Sequence, residues 1–442
     1  MKYIFFFCSL LLATISQAQD NKPYEMQVHG VKVIVVPSGN DIVQIDLVVK
    51  GGVQNYTADK AGIEKLAFTA LTECGTLHHS KNSFKNKLDE IDARIFGHTA
   101  KDASHFQLNC IKGDFETVWP LYVEALTAPK FDVKEFNRIK ENAINDLRAE
   151  ESDPDASLRK MALQTAFKGM DYSKSTGGTI ENLKKFTPQL TKEYFKSILT
   201  RSRIFMVVVA DLFKEELQKK LENLFAAIPQ GKPFELKRAA YVPKANSFTP
   251  RKKDNATNYI MGISSAPSAN SKDYLPGTLA SGLFYDKMFL EVRTNHALSY
   301  APLAYMTTGT TPYTVMQVTT KDPDKYIAVA RALVDKIKKE GFPADDVKNM
   351  KSTYATYQYY ENETNESLCW MVVTAEVEQG NWHKAFSLKE DLQPITPTEV
   401  NQVFNKYVGK FTWVYQGDPT QVTPLLYTQQ QTPAMPKEKK AF

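Results

Sequence analysis

The order of predicted elements repeats once along the chain, and this repeat constrains the fold more than any other feature of the 442 residues. In each half a strand precedes a long helix, which is followed by paired strands, several helices and a closing strand. The first-half strand at Asp41 to Lys50 has a period of two, which is typical of a half-buried strand. The closing strands are predicted at Arg203 to Leu212 and from Phe411. A repeat of about 210 residues predicts two similar units in tandem.

A stretch rich in Pro and Lys separates the two halves. It runs from Ile228 to Ala256 and has no sustained hydrophobic period, as expected of a link between domains. We therefore predict a first domain over residues 20–230, a linker over 231–256 and a second domain over 257–428. Residues 429–442 are too polar to pack and are predicted to be disordered.

Residues 1–19 predict export. A lysine near the start, an apolar run from Tyr3 to Ile15 and small or polar residues up to Gln19 are typical of a secretory signal peptide. Cys8 lies early in the run, which argues against lipid attachment there. No later stretch approaches about eighteen consecutive apolar residues, so no integral membrane segment is expected after cleavage. The mature chain is predicted to be periplasmic or extracellular.

Charge and cysteine content argue against other classes of protein. The net charge of +5 is small for this length, and no basic residues alternate with aromatic ones, so nucleic-acid binding is not expected. The mature chain keeps Cys74, Cys110 and Cys369, whose odd number and wide spacing predict neither a disulfide framework nor a zinc ribbon. Buried free thiols are the favoured interpretation, and one disulfide is the alternative.

The segment Ala61 to Thr76, AGIEKLAFTALTECGT, predicts a helix with one buried face. From Ile63 onward, apolar or small residues recur at the spacing of a 3.6-residue period. Gly75 suits the left-handed residue that follows a helix end. A second helix is predicted around Phe84 to Ile91, followed by the strands ARIFGHTA and SHFQLNCI.

Three features around this helix resemble the pitrilysin and insulinase superfamily of zinc metallopeptidases, and especially its mitochondrial-processing-peptidase-like branch. They are GGVQNY before the helix, ECGT after it, and an acidic helix followed by ESDPDASLRKMALQTAF. The resemblance covers essentially the whole mature chain. It implies an α+β fold with two tandem homologous α/β-sandwich domains. Each domain would be a mainly antiparallel sheet with helices packed on it, and the two would form half a clamshell.

Active members of that family carry His-x-x-Glu-His on the first helix and a further Glu downstream. The two His face the metal from one side of the helix, and the Glu polarises a water. Aligned from Gly62, the three positions are Lys65, Phe68 and Thr69, and the downstream position is Asp146. A lone carboxylate cannot hold zinc and Phe68 cannot act as a base. We therefore expect no metal or other cofactor in this chain.

Four histidines offer an alternative metal site: His78, His79, His98 and His105. Adjacent residues on a strand point to opposite faces, so the first two would not converge easily. Surface or hydrogen-bonded histidines are the favoured interpretation. Asp146 likewise fits a solvated helix acid better than a ligand.

The segment LFYDKMFLEVRTNHALSYAP resembles the Arg/Tyr motif of the same family, with Arg293 and Tyr300 at its two positions. The resemblance implies that these side chains reach the zinc site from the C-terminal half or from a partner subunit. There they would bind a substrate carbonyl and stabilise the oxyanion, since guanidinium and phenol groups are good donors to negative charge. The structural alternative pairs Arg293 with Glu291 and packs Tyr300 in a core.

Two functions from different classes stay open. In the first, the chain is the non-zinc subunit of an exported heterodimeric zinc endopeptidase that cleaves peptides or unfolded proteins. A homologous partner with an intact His-x-x-Glu-His would hold the zinc, and this chain would supply Arg293 and Tyr300. In the second, the chain is a non-enzymatic peptide-binding or assembly protein with the same clamshell fold. An independent peptidase with an unusual metal site is disfavoured.

Overall fold

Two β-sheets with helices packed on them build the α+β fold that the sequence predicts. The computed structural model describes residues 22–361 and 363–429. The predicted signal peptide and residues 430–442 of the predicted tail lie outside the described residues. Within the described ranges, no helix has the length and apolar character needed to cross a membrane. Cys74, Cys110 and Cys369 are buried free thiols, which confirms the favoured interpretation.

The first sheet has six strands in the order β1-β2-β6-β3-β5-β4. Neighbouring strands pair antiparallel except β2 and β6, which are parallel. The closing strand predicted at Arg203 to Leu212 is β6. The strand bounds are β1 Tyr24–Val28, β2 Val31–Val36, β3 Ile42–Lys50, β4 Arg94–Thr99, β5 Ala103–Ile111 and β6 Ile204–Val209.

Eight α-helices belong to the first half of the described chain. The predicted helix at Ala61 to Thr76 is α1, and the one predicted at Phe84 to Ile91 is α2, which begins earlier because the Ser80 side chain caps its first turn. The bounds are α1 Ile63–Glu73, α2 Lys81–Asp89, α3 Phe115–Thr127, α4 Val133–Ser152, α5 Pro154–Ala166, α6 Ile180–Lys185, α7 Pro188–Ile198 and α8 Lys214–Ala226.

The second sheet has five strands in the order β7-β11-β8-β10-β9. One of them, β7, lies inside the stretch 231–256 that the sequence predicts to be a linker without strands. Its residues SFTPRK are largely exposed at a sheet edge, where Pro and Lys are tolerated, so the strand leaves no apolar pattern. The bounds are β7 Ser247–Lys252, β8 Asn258–Ser265, β9 Leu303–Met306, β10 Tyr313–Thr320 and β11 Thr412–Gly417.

Seven α-helices belong to the second half of the described chain. The first of them, α9, passes directly into a π-helical turn at Phe289–Asn295. The bounds are α9 Tyr274–Met288, α10 Pro323–Glu340, α11 Ala344–Glu361, α12 Asn365–Gln379, α13 Leu388–Leu392, α14 Pro397–Tyr407 and α15 Pro424–Thr428.

Each half places one helix on the sheet of the other half. Helix α12 covers one face of the first sheet, where Cys369 and Val372 share a buried cluster with Val48 of β3. Helix α5 packs on the second sheet, and its Ser157 accepts a hydrogen bond of 2.6 Å from Arg251 of β7. Strand β3 is therefore buried on both faces, and the prediction of a half-buried strand is wrong. The division into separate domains stays a prediction.

Candidate functional site

Helix α1 holds the three positions of the altered zinc motif in three different environments. Lys65 is exposed, Thr69 is half-buried and Phe68 is completely buried. The Phe68 ring meets the Phe195 ring edge-on, with 5.9 Å between the centroids. Gly97 of β4 packs closely against the same residue. A Cβ at Gly97 would lie 2.7 Å from the Phe68 carbonyl oxygen, so only glycine fits there. The position that would carry a catalytic Glu is thus part of the core between α1 and the sheet.

For Asp146, the downstream position of the altered zinc motif, the sequence favours a solvated helix acid over a metal ligand. Asp146 is exposed on α4, and its side chain makes no hydrogen bond or ion pair within the described ranges. The same part of the chain contains no group of three or more His, Cys, Asp or Glu that could hold a metal ion. The residues at the zinc-site positions therefore do not fit zinc.

Three of the candidate histidines have structural contacts instead. His79 Nδ1 lies 2.9 Å from Glu124 Oε2, and His105 Nδ1 lies 2.9 Å from Asp46 Oδ2. The His98 ring stacks on the His105 ring with 4.5 Å between the centroids. The interpretation as hydrogen-bonded histidines is confirmed for His79 and His105, whereas His98 is a half-buried ring held by stacking.

The buried charge of α1 is Glu64, a residue that the sequence analysis did not single out. Its carboxylate accepts hydrogen bonds from Ser104 Oγ at 2.5 Å, from the Tyr194 hydroxyl and from Asn55 Nδ2 at 3.2 Å. Burial raises the pKa of Glu64, although the three donors oppose that shift. The sequence could have indicated that Glu64 is buried, because Glu64 precedes Phe68 by one helical turn and therefore lies on the same face of α1.

Arg293 and Tyr300 lie in contact with each other at the end of α9. Arg293 belongs to the π-helical turn, and Tyr300 lies on the segment that leads into β9. The guanidinium carbon is 4.0 Å from the centroid of the Tyr300 ring and 4.8 Å from that of Phe289. Tyr300 is 80% exposed. The arrangement presents a cation and a phenol side by side at the surface.

Neither part of the structural alternative for this pair is observed. Glu291 accepts a hydrogen bond of 2.9 Å from Asn295, and its other oxygen lies 3.2 Å from His296 Nε2. The Arg293 side chain makes no ion pair or hydrogen bond to any residue that the structure describes. Both side chains therefore keep their donor groups free, and they can offer them to a negatively polarised oxygen.

The fold and the altered α1 define a peptidase-like protein without the zinc-binding residues of the first helix. The chain belongs to the insulinase family, peptidase family M16. The model described as Insulinase (Peptidase family M16) matches residues 32–180, and the model described as Peptidase M16 inactive domain matches residues 185–354. Together they cover most of the described residues of both halves. The chain is a zinc-less member of this family.

Three known proteins illustrate the similarity. The "Non-peptidase homolog YmxG" of Helicobacter pylori is 23% identical over 233 residues, which are 52% of this chain and 54% of that protein. The chain thus spans about half the length of this curated relative. A "peptidase M16 inactive domain" from Pseudomonas fluorescens has a TM-score of 0.82 at 15% identity, over 91% of this chain and 99% of that one. The "periplasmic protease PqqL" from Escherichia coli has a TM-score of 0.77 at 13% identity, over 94% of this chain and 49% of that one. At these identities the two solved structures show the fold alone.

Proposed function

We propose that this chain is the non-zinc, substrate-binding subunit of an exported heterodimeric M16 peptidase, and that it donates Arg293 and Tyr300 to the active site of its partner. One observation carries the proposal: the two donors lie in contact at the surface, and Tyr300 is 80% exposed. An exposed aromatic ring beside an unpaired guanidinium adds little to the stability of the fold, but such a pair is well suited to bind a ligand or a partner.

The partner would be a homologous subunit with an intact His-x-x-Glu-His, because this chain has Lys65, Phe68 and Thr69 at those positions. The comparison with PqqL supports a partner of about the same size as this chain. The present chain matches 49% of a chain described as a periplasmic protease, so a second unit of similar size would complete the same volume. Residues 1–19 would direct the chain to the periplasm or the cell exterior.

The contribution of this chain to peptide cleavage would be electrostatic. The Arg293 guanidinium and the Tyr300 hydroxyl would donate hydrogen bonds to a substrate carbonyl oxygen. They would bind it more strongly as negative charge develops on it. Loss of one donor of this kind costs about 10²–10³-fold in rate in other enzymes. Peptides and unfolded proteins are the expected substrates.

Cleavage by the reconstituted complex tests the proposal. The chain would be co-expressed with a homologous partner that carries the intact motif, and the rate of peptide cleavage would be measured at saturating substrate. We expect Arg293→Ala and Tyr300→Phe each to lower kcat by about 10²-fold or more. Tyr359→Phe and Arg148→Ala are matched controls, since both residues are exposed elsewhere on the molecule. Full activity of both test variants in an intact complex would refute the proposal.

The second candidate function is a non-enzymatic peptide-binding or assembly protein with the same fold. The similarity to YmxG of Helicobacter pylori, a non-peptidase homolog, favours it. Purification from the native source separates the two functions. A stable monomer or homodimer without a second M16 chain would support the non-enzymatic protein, whereas co-purification with such a chain supports the subunit.

A further inference from the structure

We propose that the cavity between α5 and the loop at residues 171–178 binds a carboxylate of a peptide. The cavity has a volume of about 250 Å³, which is ample for an acidic side chain or a chain terminus. Its residues come from α5, from this loop, from α4 and from the turn between β4 and β5. None of them is among the site residues that the sequence singled out.

One face of α5 supplies the first wall. Arg159, Lys160 and Gln164 line the cavity together, as expected for residues that share one side of a helix. The opposite side of α5 is buried, and there Ser157 accepts the hydrogen bond from Arg251 of the second sheet. The helix is therefore fixed from behind, and its basic face is directed into the cavity.

The loop opposite α5 is held in place by hydrogen bonds from Lys101 and by close packing at Gly178. Lys101 Nζ donates hydrogen bonds to the carbonyl oxygens of Tyr172 at 2.9 Å and Lys174 at 2.5 Å. Gly178 has a φ of +77°, and a Cβ at this residue would lie 2.2 Å from the Ala61 carbonyl oxygen. The loop thus lies directly against the start of α1. The second wall is organised before any ligand arrives, which reduces the entropic cost of binding.

The cavity has an excess of positive charge and of unused donors. Lys101, Arg159 and Lys160 line it against one acid, Glu150. Lys160 lies 4.0 Å from Glu151, whose side chain is 53% exposed, so this pair neutralises little charge. The side chains of Arg159, Gln164, Ser175 and Thr176 make no hydrogen bond or ion pair to the part of the chain that is described. A planar carboxylate matches the fork of an Arg side chain, and the hydroxyl and amide groups add donors.

The position of the cavity favours a peptide as the source of the carboxylate. Glu150 lies on α4 one helical turn beyond Asp146, and the loop wall lies against the start of α1. The cavity is therefore next to the two helices that carry the altered zinc motif. The inference rests on the proposed function only in taking a peptide as the ligand. The carboxylate would be an Asp or Glu side chain or the C-terminus.

Binding to the isolated chain tests this assignment. Three labelled peptides of one apolar sequence would be compared by fluorescence anisotropy. The first has an internal Glu and an amidated end, the second has Gln and a free carboxylate, and the third has Gln and an amidated end. We expect at least one of the first two to bind about tenfold or more tightly than the third, as expected for a charge-assisted hydrogen bond. Which of the two binds identifies the source of the carboxylate.

Variants of α5 decide whether the binding occurs in this cavity. The double variant Arg159→Gln with Lys160→Gln should reduce the acidic peptide to the affinity of the neutral one, and Arg159→Lys should retain part of the difference. Lys219→Gln changes an exposed lysine of α8 and should bind like the unmodified chain. Thermal unfolding of each variant verifies that it is folded.

Three results would overturn the inference. They are equal binding of the three peptides, unchanged binding of the acidic peptide by the folded double variant, and displacement of that peptide by inorganic phosphate as readily as by unlabelled peptide. The third would indicate a site for small anions. This binding is measured on the isolated chain, whereas the proposed function is tested by cleavage in the complex with its partner. A failure of the proposed function is therefore recognised separately from a failure of this site.

Discussion

The altered zinc helix and the Arg/Tyr segment differ in what the surrounding structure does with their motif positions. In α1, Phe68 is completely buried and contacts Phe195 and β4. At the end of α9, Arg293 and Tyr300 contact each other and leave their donor groups free. One position has become part of the core, and the other two contribute little to the packing of the fold.

This difference separates a structural role from a binding role. A buried aromatic residue contributes several kcal/mol to stability, so packing alone accounts for Phe68. Arg293 is half-buried and Tyr300 is exposed, and a cation–π contact near the surface contributes about 0.5–1 kcal/mol. Stability therefore does not account for the presence of both Arg293 and Tyr300, and the proposed binding role would. Four predictions test this contrast, in order of decreasing effect on the free energy of unfolding.

Restoring the acid of the zinc motif should have the largest effect. Phe68→Glu would place a carboxylate in a fully buried site and remove the contact with Phe195. We expect a loss of about 5 kcal/mol or complete unfolding, since a buried unpaired charge and a lost aromatic side chain are both costly. Chemical denaturation followed by circular dichroism measures the change.

The neighbouring motif position is the control for this substitution. Lys65→His changes an exposed residue of the same helix and should alter stability by no more than about 0.5 kcal/mol. A stable, folded Phe68→Glu protein would mean that this position is not committed to the core, and the contrast between the two regions would fail.

The second prediction concerns the buried acid of α1. Glu64→Ala leaves the Ser104 and Tyr194 hydroxyls without their acceptor in a buried site. We expect a loss of about 3 kcal/mol. Glu64→Gln keeps one acceptor oxygen and should cost less than the alanine variant. If both variants unfold at the same denaturant concentration as the unmodified chain, the carboxylate has no structural role.

Local pattern predicted the elements well, and it failed where distant residues cover a surface. The period of two in β3 indicated one solvated face, with Gln44 and Asp46 on it. Both are buried, because α12 covers that face and the neighbouring β5 supplies partners. The Gln44 amide oxygen accepts from Asn109 at 2.8 Å, and Asp46 accepts from Gln107 at 2.9 Å. The polar residues mark a hydrogen-bonded layer inside the molecule, and only the tertiary contacts distinguish it from a solvated surface.

The candidate site divides in the same way. Residue identity alone was enough to predict that Lys65, Phe68 and Thr69 do not form the zinc site. Identity could not place Phe68 in the core, since this depends on Phe195 and Gly97 from other elements. The spacing of Arg293 and Tyr300 suggested the motif. The exposure of these two residues depends on the π-helical turn, and so does the hydrogen bond that Glu291 accepts from Asn295. A π-helical turn has no distinct sequence pattern, so neither feature could be predicted.

The third prediction concerns Glu378, a carboxylic acid on α12, and the dependence of stability on pH. Burial raises the pKa of Glu378 from 4.5 to about 7. Between these values the folded chain binds a proton that the unfolded chain does not, so stability falls as the pH rises through this window. Glu378→Gln removes this loss. We expect it to stabilise the chain by about 2 kcal/mol more at pH 8 than at pH 5, after allowance for partial exposure.

Thermal unfolding of this variant at the two pH values measures the effect. Glu216→Gln on α8 is the matched control, because that residue is exposed. The stability change of this variant should be the same at pH 5 and at pH 8. An equal shift of Glu378→Gln at both pH values would show that the carboxyl is not buried as described.

The smallest effect on stability is expected for substitutions of Arg293 and Tyr300. Its size decides whether this pair has a structural role, as Phe68 has, or a binding role. The contact between them is worth about 0.5–1 kcal/mol at an exposed position, so Arg293→Ala and Tyr300→Ala should each cost no more than about 1 kcal/mol. Their coupling in a double-mutant cycle should be of the same size. Denaturation curves of the single and double variants measure both quantities. A loss of several kcal/mol in either single variant would assign the pair to the structure of this chain, as with Phe68. A small loss combined with a large fall in activity of the complex would assign it to the binding of a substrate.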